Sequence, residues 1–288
     1  MNLDRERIMN ELATCAIGHT FVHYESVPST MPVAHALADE PAIRSGAVVV
    51  ADEQTAGRGR RERRWETPRD QALLMSFIFK APFAVAPTHF PMLAGLAIIE
   101  GIGAYQPALV PYLGLKWPND LLLGTAMADA GKTGGILIES RYRGATAEAL
   151  IVGCGLNVLQ SAAALPTTPP GAPPATSIRH FCQTQAALAN LAPTLDRTAL
   201  FIHICQQWTR LYTDPTLTAT VLQQRWAARL WTLQQPVMVQ RLKADGTIVQ
   251  INGLATAVTA DGQLVVEAAD GEQHCFAAGD VSVRRATV

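Results

Sequence analysis

Gly57 to Trp65 reads Gly-Arg-Gly-Arg-Arg-Glu-Arg-Arg-Trp, five arginines and one glutamate, a local charge of +4 in a chain whose formal net charge is −1. A field that concentrated faces an anion. Gly57 and Gly59 let the backbone approach a phosphate, the guanidinium groups of Arg58, Arg60 and Arg63 suit its oxygens, and Trp65 offers a face to a planar group. By itself the stretch reads first as a solvated basic loop or a nonspecific nucleic-acid patch. Its company changes that reading. Lys116-Trp117-Pro118-Asn119-Asp120 places an ammonium, a rigid proline, an amide and a carboxylate between two apolar runs, as an aimed turn would. Gly131-Lys132-Thr133-Gly134-Gly135 pairs a second lysine with glycines, and Gly153-Cys154-Gly155-Leu156-Asn157 has the small residues of a strand approached by a ligand or another backbone. Ser29 and Thr30 stand where hydroxyls cap a helix, and capping alone would explain them.

The chain has only four lysines, Lys80, Lys116, Lys132 and Lys243, against nineteen arginines. Two of the four fall inside the stretches above, where a compact ammonium has a use that a guanidinium does not. A pI of 6.7 argues against bulk nucleic-acid or membrane binding, so the basic loop is a local site. Cys15, Cys154, Cys182, Cys205 and Cys275 show no Cys-x-x-Cys spacing and read as reduced cytosolic thiols without a zinc site. Met92 to Ala104 is apolar but short and interrupted by Glu100, a buried helix rather than a membrane span. No leader is expected, and the location is cytoplasmic.

These residues need elements to hold them. Residues 1 to 20 are expected to form a helix, Phe21 to Tyr24 a strand, and Val33 to Ala38 a helix. Ala47 to Ala51 reads as a buried strand whose end delivers Gln54 and the arginine loop, the place where α/β sites gather. Strands follow at Leu73 to Phe79, Leu121 to Leu123, Ile136 to Ser140 and Leu150 to Val152, with a long helix over Pro87 to Tyr105. Leu165 to Ala175, rich in Pro, Thr and Ala, reads as a surface loop without chemistry. Helices are expected at Thr184 to Leu191, Leu195 to Asp214 and Leu217 to Leu230. The period then shortens to two: strands at Pro236 to Arg241, Gly246 to Val258, Gln263 to Glu267, Gln273 to Phe276 and Val281 to Arg284 alternate with Asp245-Gly246, Asp261-Gly262 and Asp270-Gly271 turns. The expected division is residues 1–230 as one domain and 231–288 as a small SH3-like barrel.

With Ser29-Thr30, Gln54 through Trp65, Lys116 through Asp120, Lys132 through Gly135 and Gly153 through Asn157 in that order, the chain resembles the biotin protein ligases over roughly residues 20 to 288. The resemblance implies an α+β fold: a catalytic domain related to class II aminoacyl-tRNA synthetases, with a mixed sheet and helices on one side, then the C-terminal SH3-like β-barrel. It implies activation of biotin by MgATP to biotinyl-5′-adenylate, followed by transfer to a lysine of a biotin carboxyl carrier protein. Ser29, Thr30 and Gln54 would bind the ureido end of biotin, with Gly57, Arg58, Gly59 and Arg60 closing over it. Lys132 beside Gly135 would meet the carboxylate and the α-phosphate. Arg60, Arg63, Trp65, Lys116, Asn119 and Asn157 would serve the nucleotide, Trp65 by stacking on adenine. Asp120 fits a base, an orienting group or a magnesium ligand.

Lipoate or octanoate ligases and transferases share the general fold, but Ser29-Thr30 with Gln54, the arginine loop and the barrel favour biotin. A silent biotin sensor is opposed by the presence of Lys116, Asn119, Asp120 and Lys132. Two departures stand out: Glu62 occupies a position where the family commonly has a third loop glycine, and the DNA-binding domain of the repressor members has no counterpart, so no operator binding is expected. A homodimer is compatible with the resemblance.

Overall fold

The computed structural model describes residues 3–61, 63–169, 171–242, 247–278 and 281–285. Glu62, Lys243 and the Asp245-Gly246 turn lie outside the described residues. Seven strands form the main sheet: β1 (Phe21–Tyr24), β2 (Ala47–Ala51), β3 (Ala72–Lys80), β4 (Leu113–Lys116), β5 (Asp120–Leu123), β6 (Gly131–Arg143) and β7 (Thr146–Asn157). Their order is β1-β2-β3-β7-β6-β5-β4; β1 and β2 run parallel and every other neighbouring pair antiparallel. All of β2 is buried, the mark of a strand covered on both faces.

The two faces of the sheet have different tasks. Val48 and Val50 of β2, Phe77 and Phe79 of β3 and Val152 of β7 point into the large core. That core is completed by α3 (Phe90–Tyr105) and α5 (Arg197–Tyr212), with Trp208 tilted against Phe77 and stacked near Phe79. Because α3 is apolar on nearly every side, it lies buried between the sheet and its helical neighbours. The alternate residues Ala47, Val49, Ile78 and Ile151 face the other way and pack with Met31 and Ala34 of α2 (Thr30–Ala38). Helices on one side only was therefore incorrect: α2 occupies the second face, and the space beyond it on that face is the cavity described below.

Several boundaries moved. The N-terminal helix is only α1 (Arg5–Leu12), capped by Asp4, and residues 13–20 are turns. The helix expected at 184–191 forms earlier as α4 (Ile178–Thr184), started by the Ser177 hydroxyl accepting from the His180 amide, and 186–194 is a 3₁₀ segment containing Pro193. The last helix, α6 (Ala219–Ala227), stops short so that the following residues can lie along β4, where the Leu115 amide donates to the Arg229 carbonyl and the Trp231 amide to the Leu115 carbonyl. Gly131 to Gly135 does not precede a strand but forms the start of β6. No described helix is long and apolar enough to cross a membrane.

The C-terminal unit contains β8 (Pro236–Leu242), β9 (Ile248–Val258), β10 (Leu264–Ala268), β11 (Gln273–Phe276) and β12 (Val281–Arg285), antiparallel in the order β11-β10-β9-β8-β12. Gly262 and Gly271 adopt φ of 76° and 85°, the left-handed conformation that makes Asp-Gly a turn signal. The unit is fastened to the main sheet through Trp117, whose amide donates to Thr232 Oγ1 at 2.8 Å and whose indole donates to the Gly262 carbonyl at 2.9 Å.

The contact between α3 and α5 depends on Gly101, where a Cβ would sit 2.6 Å from Ile204 Cα. Backbone cannot yield as a side chain does. Gly101→Ala is therefore expected to destabilise the fold by about 1–3 kcal/mol through forced separation of the helices, read as a lower denaturation midpoint.

Candidate active site

A cavity of about 390 Å³ opens on the α2 face of the sheet. Its depth follows from strand register. Gly153 lies opposite Ser76 and Leu137, and Gly155 lies opposite Leu74 and Gly135, so glycines replace side chains where the cavity sinks into β6 and β7. A Cβ on Gly155 would fall 2.5 Å from the Trp65 indole, so the ring rests directly on the strand backbone. Ser29, Thr30, Gln54, Arg58, Gly59, Arg60, Arg63, Trp65, Lys116, Asn119, Asp120, Lys132, Gly135 and Asn157 all line this one cavity. Gly57 supports it instead, accepting at its carbonyl from the Trp65 amide at 2.9 Å.

One end is polar and neutral. Ser29 holds the N-cap position of α2 with an extended φ of −161°, yet its side chain caps nothing, and its buried Oγ has no hydrogen-bond partner. Helix capping thus does not account for it. The Thr30 amide and Thr30 Oγ1 both donate to Gln54 Oε1, at 2.7 and 3.0 Å, and Ser76 Oγ lies 2.8 Å from Thr30 Oγ1. The backbone donor fixes which end of the Gln54 amide is the oxygen, leaving Nε2 as a donor toward the cavity. Ser76 was missed by sequence reading; its signal was a single hydroxyl in the apolar run of β3.

The other end is ionic. The Trp117–Asn119 turn brings Asp120, at the start of β5, directly opposite Lys116, at the end of β4. Lys132 Nζ is 2.6 Å from Asp120 Oδ1, and Lys116 Nζ is 3.8 Å from Asp120 Oδ2. Burial pulls the Lys116 ammonium below its ordinary value, although Asp120 partly opposes this. For Asp120, burial pushes the carboxyl up, but the two lysines outweigh it and hold it below the usual carboxylate range.

Between the ends lies the arginine hairpin. Arg58 and Arg64 form a bridge, and the Gly59 amide donates to the Arg63 carbonyl at 2.7 Å. Arg60 donates to Asn119 Oδ1 at 3.1 Å and to the Ala278 carbonyl in the C-terminal unit, while Arg58 Nη2 lies 3.4 Å from Glu139. Asn119 is itself held by donation to the Ile136 carbonyl at 2.6 Å. The Trp65 ring centre lies 5.6 Å from Lys132 Nζ, and its buried Nε1 has no hydrogen-bond partner.

The Pro/Thr/Ala stretch at 165–175 requires correction. Far from lacking a role, it walls the cavity through Pro166, Thr168, Pro169 and Pro173 among others. It is fastened to β6 by the Lys132 amide donating to the Pro174 carbonyl at 2.7 Å and the Thr176 amide donating to the Lys132 carbonyl at 2.9 Å. Asn157 sits behind this wall: its Nδ2 donates to the Thr176 carbonyl at 3.0 Å and its Oδ1 accepts from Gln160 at 3.0 Å.

Residues 24–157 match the Biotin/lipoate A/B protein ligase family, and residues 232–284 match the Biotin protein ligase C terminal domain. The biotin–[acetyl-CoA-carboxylase] ligase of Paracoccus denitrificans is 30% identical over 245 residues, covering 83% of this chain and 92% of that protein. The chain belongs to the biotin protein ligase family. Another relative, the bifunctional ligase/repressor BirA of Bacillus spizizenii, is 35% identical over 159 residues, 55% of this chain and 46% of that protein. The chain thus spans about half the length of the Bacillus ligase/repressors it matches. A solved biotin protein ligase from Aquifex aeolicus, in complex with biotin and ATP, has the same fold with a TM-score of 0.67 and 21% identity, covering 93% of this chain and 99% of that one.

The ionic end of this ligase-family site generates a pH prediction. Asp120 titrates lower in the fold than in the unfolded chain, so it contributes stability at pH above its ordinary value of 3.8 that is lost as pH falls through the lower folded value. Asp120→Asn should lower the melting temperature near pH 7 and shrink that difference progressively toward pH 3, as measured by thermal melts across the range. A difference that grows on acidification contradicts the assignment.

Proposed function

We infer that the chain joins biotin to ATP, giving biotinyl-5′-adenylate and pyrophosphate, and then passes the biotinyl group to a lysine of a biotin-accepting carrier domain such as that of acetyl-CoA carboxylase. The observation that carries this reading is a neutral hydroxyl-and-amide cluster and a Lys116–Asp120–Lys132 cluster at two ends of one cavity. Ser76 lies opposite Gly153, and Asp120 lies opposite Gly135, two residues along and three strands across the sheet, so the backbones at the two ends are on the order of 15 Å apart, with side chains reaching inward from each. That span suits a polar head group carrying a short acid arm.

The head group is read by complementarity. A ureido ring offers two N–H donors and a carbonyl acceptor, which meet Ser29 Oγ, the Gln54 Nε2 donor and the hydroxyl of Thr30. A dithiolane would leave these buried polar groups unsatisfied, at a cost of about 1–3 kcal/mol for each group. Lipoate is therefore the poorer ligand.

Attack of the biotin carboxylate on the α-phosphorus brings two anions together, and the carboxylate oxygen displaces pyrophosphate. Lys132 faces the reacting oxygens, while Arg60, Arg63 and Lys116 neutralise the phosphates. Asn119, held by Ile136, orients Arg60. Trp65 covers the junction of acyl chain and nucleotide, and Asn157 with the 166–176 wall bounds the nucleotide. Among the described residues no group of three or more His, Cys, Asp or Glu side chains forms a metal cage. Asp120 is the cavity carboxylate beside the two lysines that would help hold a magnesium ion brought with ATP, and the ion would supply further neutralisation of the phosphate charge.

In the second step the carrier amine attacks the acyl carbon and AMP leaves. Asp120, paired with both Lys116 and Lys132, orients the two ammonium groups in this step. Closure of the arginine hairpin shields the mixed anhydride from water until the amine arrives. The five free thiols suit a cytoplasmic location.

The test is exchange of labelled pyrophosphate into ATP with magnesium and either biotin or lipoate. Exchange is expected with biotin and not lipoate, and Lys132→Ala should lower it at least about a hundredfold. Exchange with lipoate alone, or near-normal exchange by the lysine variant, overturns the reading.

A further inference from the structure

Arg197 opens α5 on the large-core side of the sheet, and its side chain is almost wholly buried. Its Nη2 donates to Asp52 Oδ1 at 3.3 Å and to Asp70 Oδ1 at 2.9 Å, and its Nη1 donates to the Ala72 carbonyl at 3.0 Å. Asp52 Oδ2 lies 2.8 Å from His23 Nε2 on β1. The Asp70 amide donates to the Asp52 carbonyl at 3.1 Å, and Asp70 holds a φ of 61°.

These partners share a topological place. Asp52 is the first residue after β2, and Asp70 and Ala72 bracket the start of β3, so together they form the two stems of the excursion that carries Gln54, the arginine hairpin and Trp65. None of Arg197, Asp52 or Asp70 is among the residues lining the cavity. A buried guanidinium needs several acceptors to offset its desolvation, and here they come from both stems at once. A planar fork meets three acceptors in fixed directions, whereas an ammonium could not.

The geometry points to Arg197 as a positioning residue that closes the neck of the arginine hairpin from the opposite face of the sheet. Its role rests on the proposed biotin activation: with the neck closed, Gln54 stays on Thr30 and Trp65 stays on Gly155. A neck that widens displaces Gln54 within two residues of Asp52. Displacements of about an ångström at such groups cost up to about a hundredfold in productive binding.

Two variants test this. Arg197→Lys keeps the charge and loses the fork, and Asp70→Asn removes one stem's charge at a position less deeply buried than Asp52. Biotin-dependent pyrophosphate exchange should show KM for biotin raised about tenfold or more, with the rate at saturating biotin within about threefold of the parent. Release of biotinyl-adenylate into solution should rise by a similar factor. Limited trypsin digestion well below the melting temperature should cut between Arg58 and Arg64 several-fold faster, with other arginines unchanged. A purely structural ion pair would lower the melting temperature while leaving the KM-to-rate split and the site of cleavage as they were, and that result overturns the proposal, as does failure of both variants to fold. If the parent protein shows no exchange, the assigned activity falls, and the trypsin pattern alone decides the clamp.

Discussion

The face-to-face pairing of Gly135 with Gly155 sets the depth of the site, because a Cβ on Gly155 would overlap the Trp65 ring and any longer side chain on Gly135 would fill the cavity beside Lys132. A strand alternates its side chains with period two, so β7 can present Val152, Cys154 and Leu156 to the core while Gly153 and Gly155 leave the opposite face bare. One strand thus supplies core packing and an empty trench together. The same register brings Ser76 beneath Thr30, and Lys132 above Gly135. Slipping β7 by one residue would turn its apolar residues into the cavity and its glycines into the core, abolishing both at once.

Electrostatics then follow from how few carboxylates the site contains. Lys116, Lys132 and Arg60 converge on a buried region where like charges repel strongly. Asp120 is the anion that keeps the lysines together before a substrate arrives, which is why its own carboxyl is held in the ionised form. Under the proposed activity, phosphates entering the cavity would relieve the remaining excess of positive charge, and the resting site would already have the charge distribution that a nucleotide requires.

How much of this was legible in the sequence depended on whether a residue's role could be inferred from its neighbours along the chain. Lys116 through Asp120 and Lys132 stood out by type and local order, whereas Ser29-Thr30, Gln54 and the arginine hairpin gained meaning only from that company, and all of them do meet in one cavity. The Asp261-Gly262 and Asp270-Gly271 turns were equally local. Ser76 and Arg197 were not, since a serine inside an apolar strand or an arginine at a helix start acquires meaning only through the register of strands 40 to 150 residues away. The 166–175 wall was misjudged for a related reason: its proline-rich composition describes a spacer, and only the long-range bridge to Lys132 makes it part of the site. Helix ends were misplaced where a neighbouring strand stopped the helix, as β4 does after α6.

Among the described residues the C-terminal unit contributes none to the cavity lining, yet the turn bearing Asn119 and Asp120 depends on it. Trp117 is clamped from both sides, its amide by Thr232 and its indole by Gly262, and the residues between α6 and β8 run beside β4 as an added strand segment. Arg60 meanwhile reaches from the hairpin to Asn119 and to the carbonyl of Ala278. The aimed turn is thus fixed from the C-terminal side, whereas the hairpin is tethered from both units. The Arg60 contacts and the Trp117 contacts are separate, so breaking the first would uncover the lysine–aspartate cluster without loosening the turn that holds it. Preorganised charge thus depends on the buried Trp117 anchor, not on the contacts of the cover.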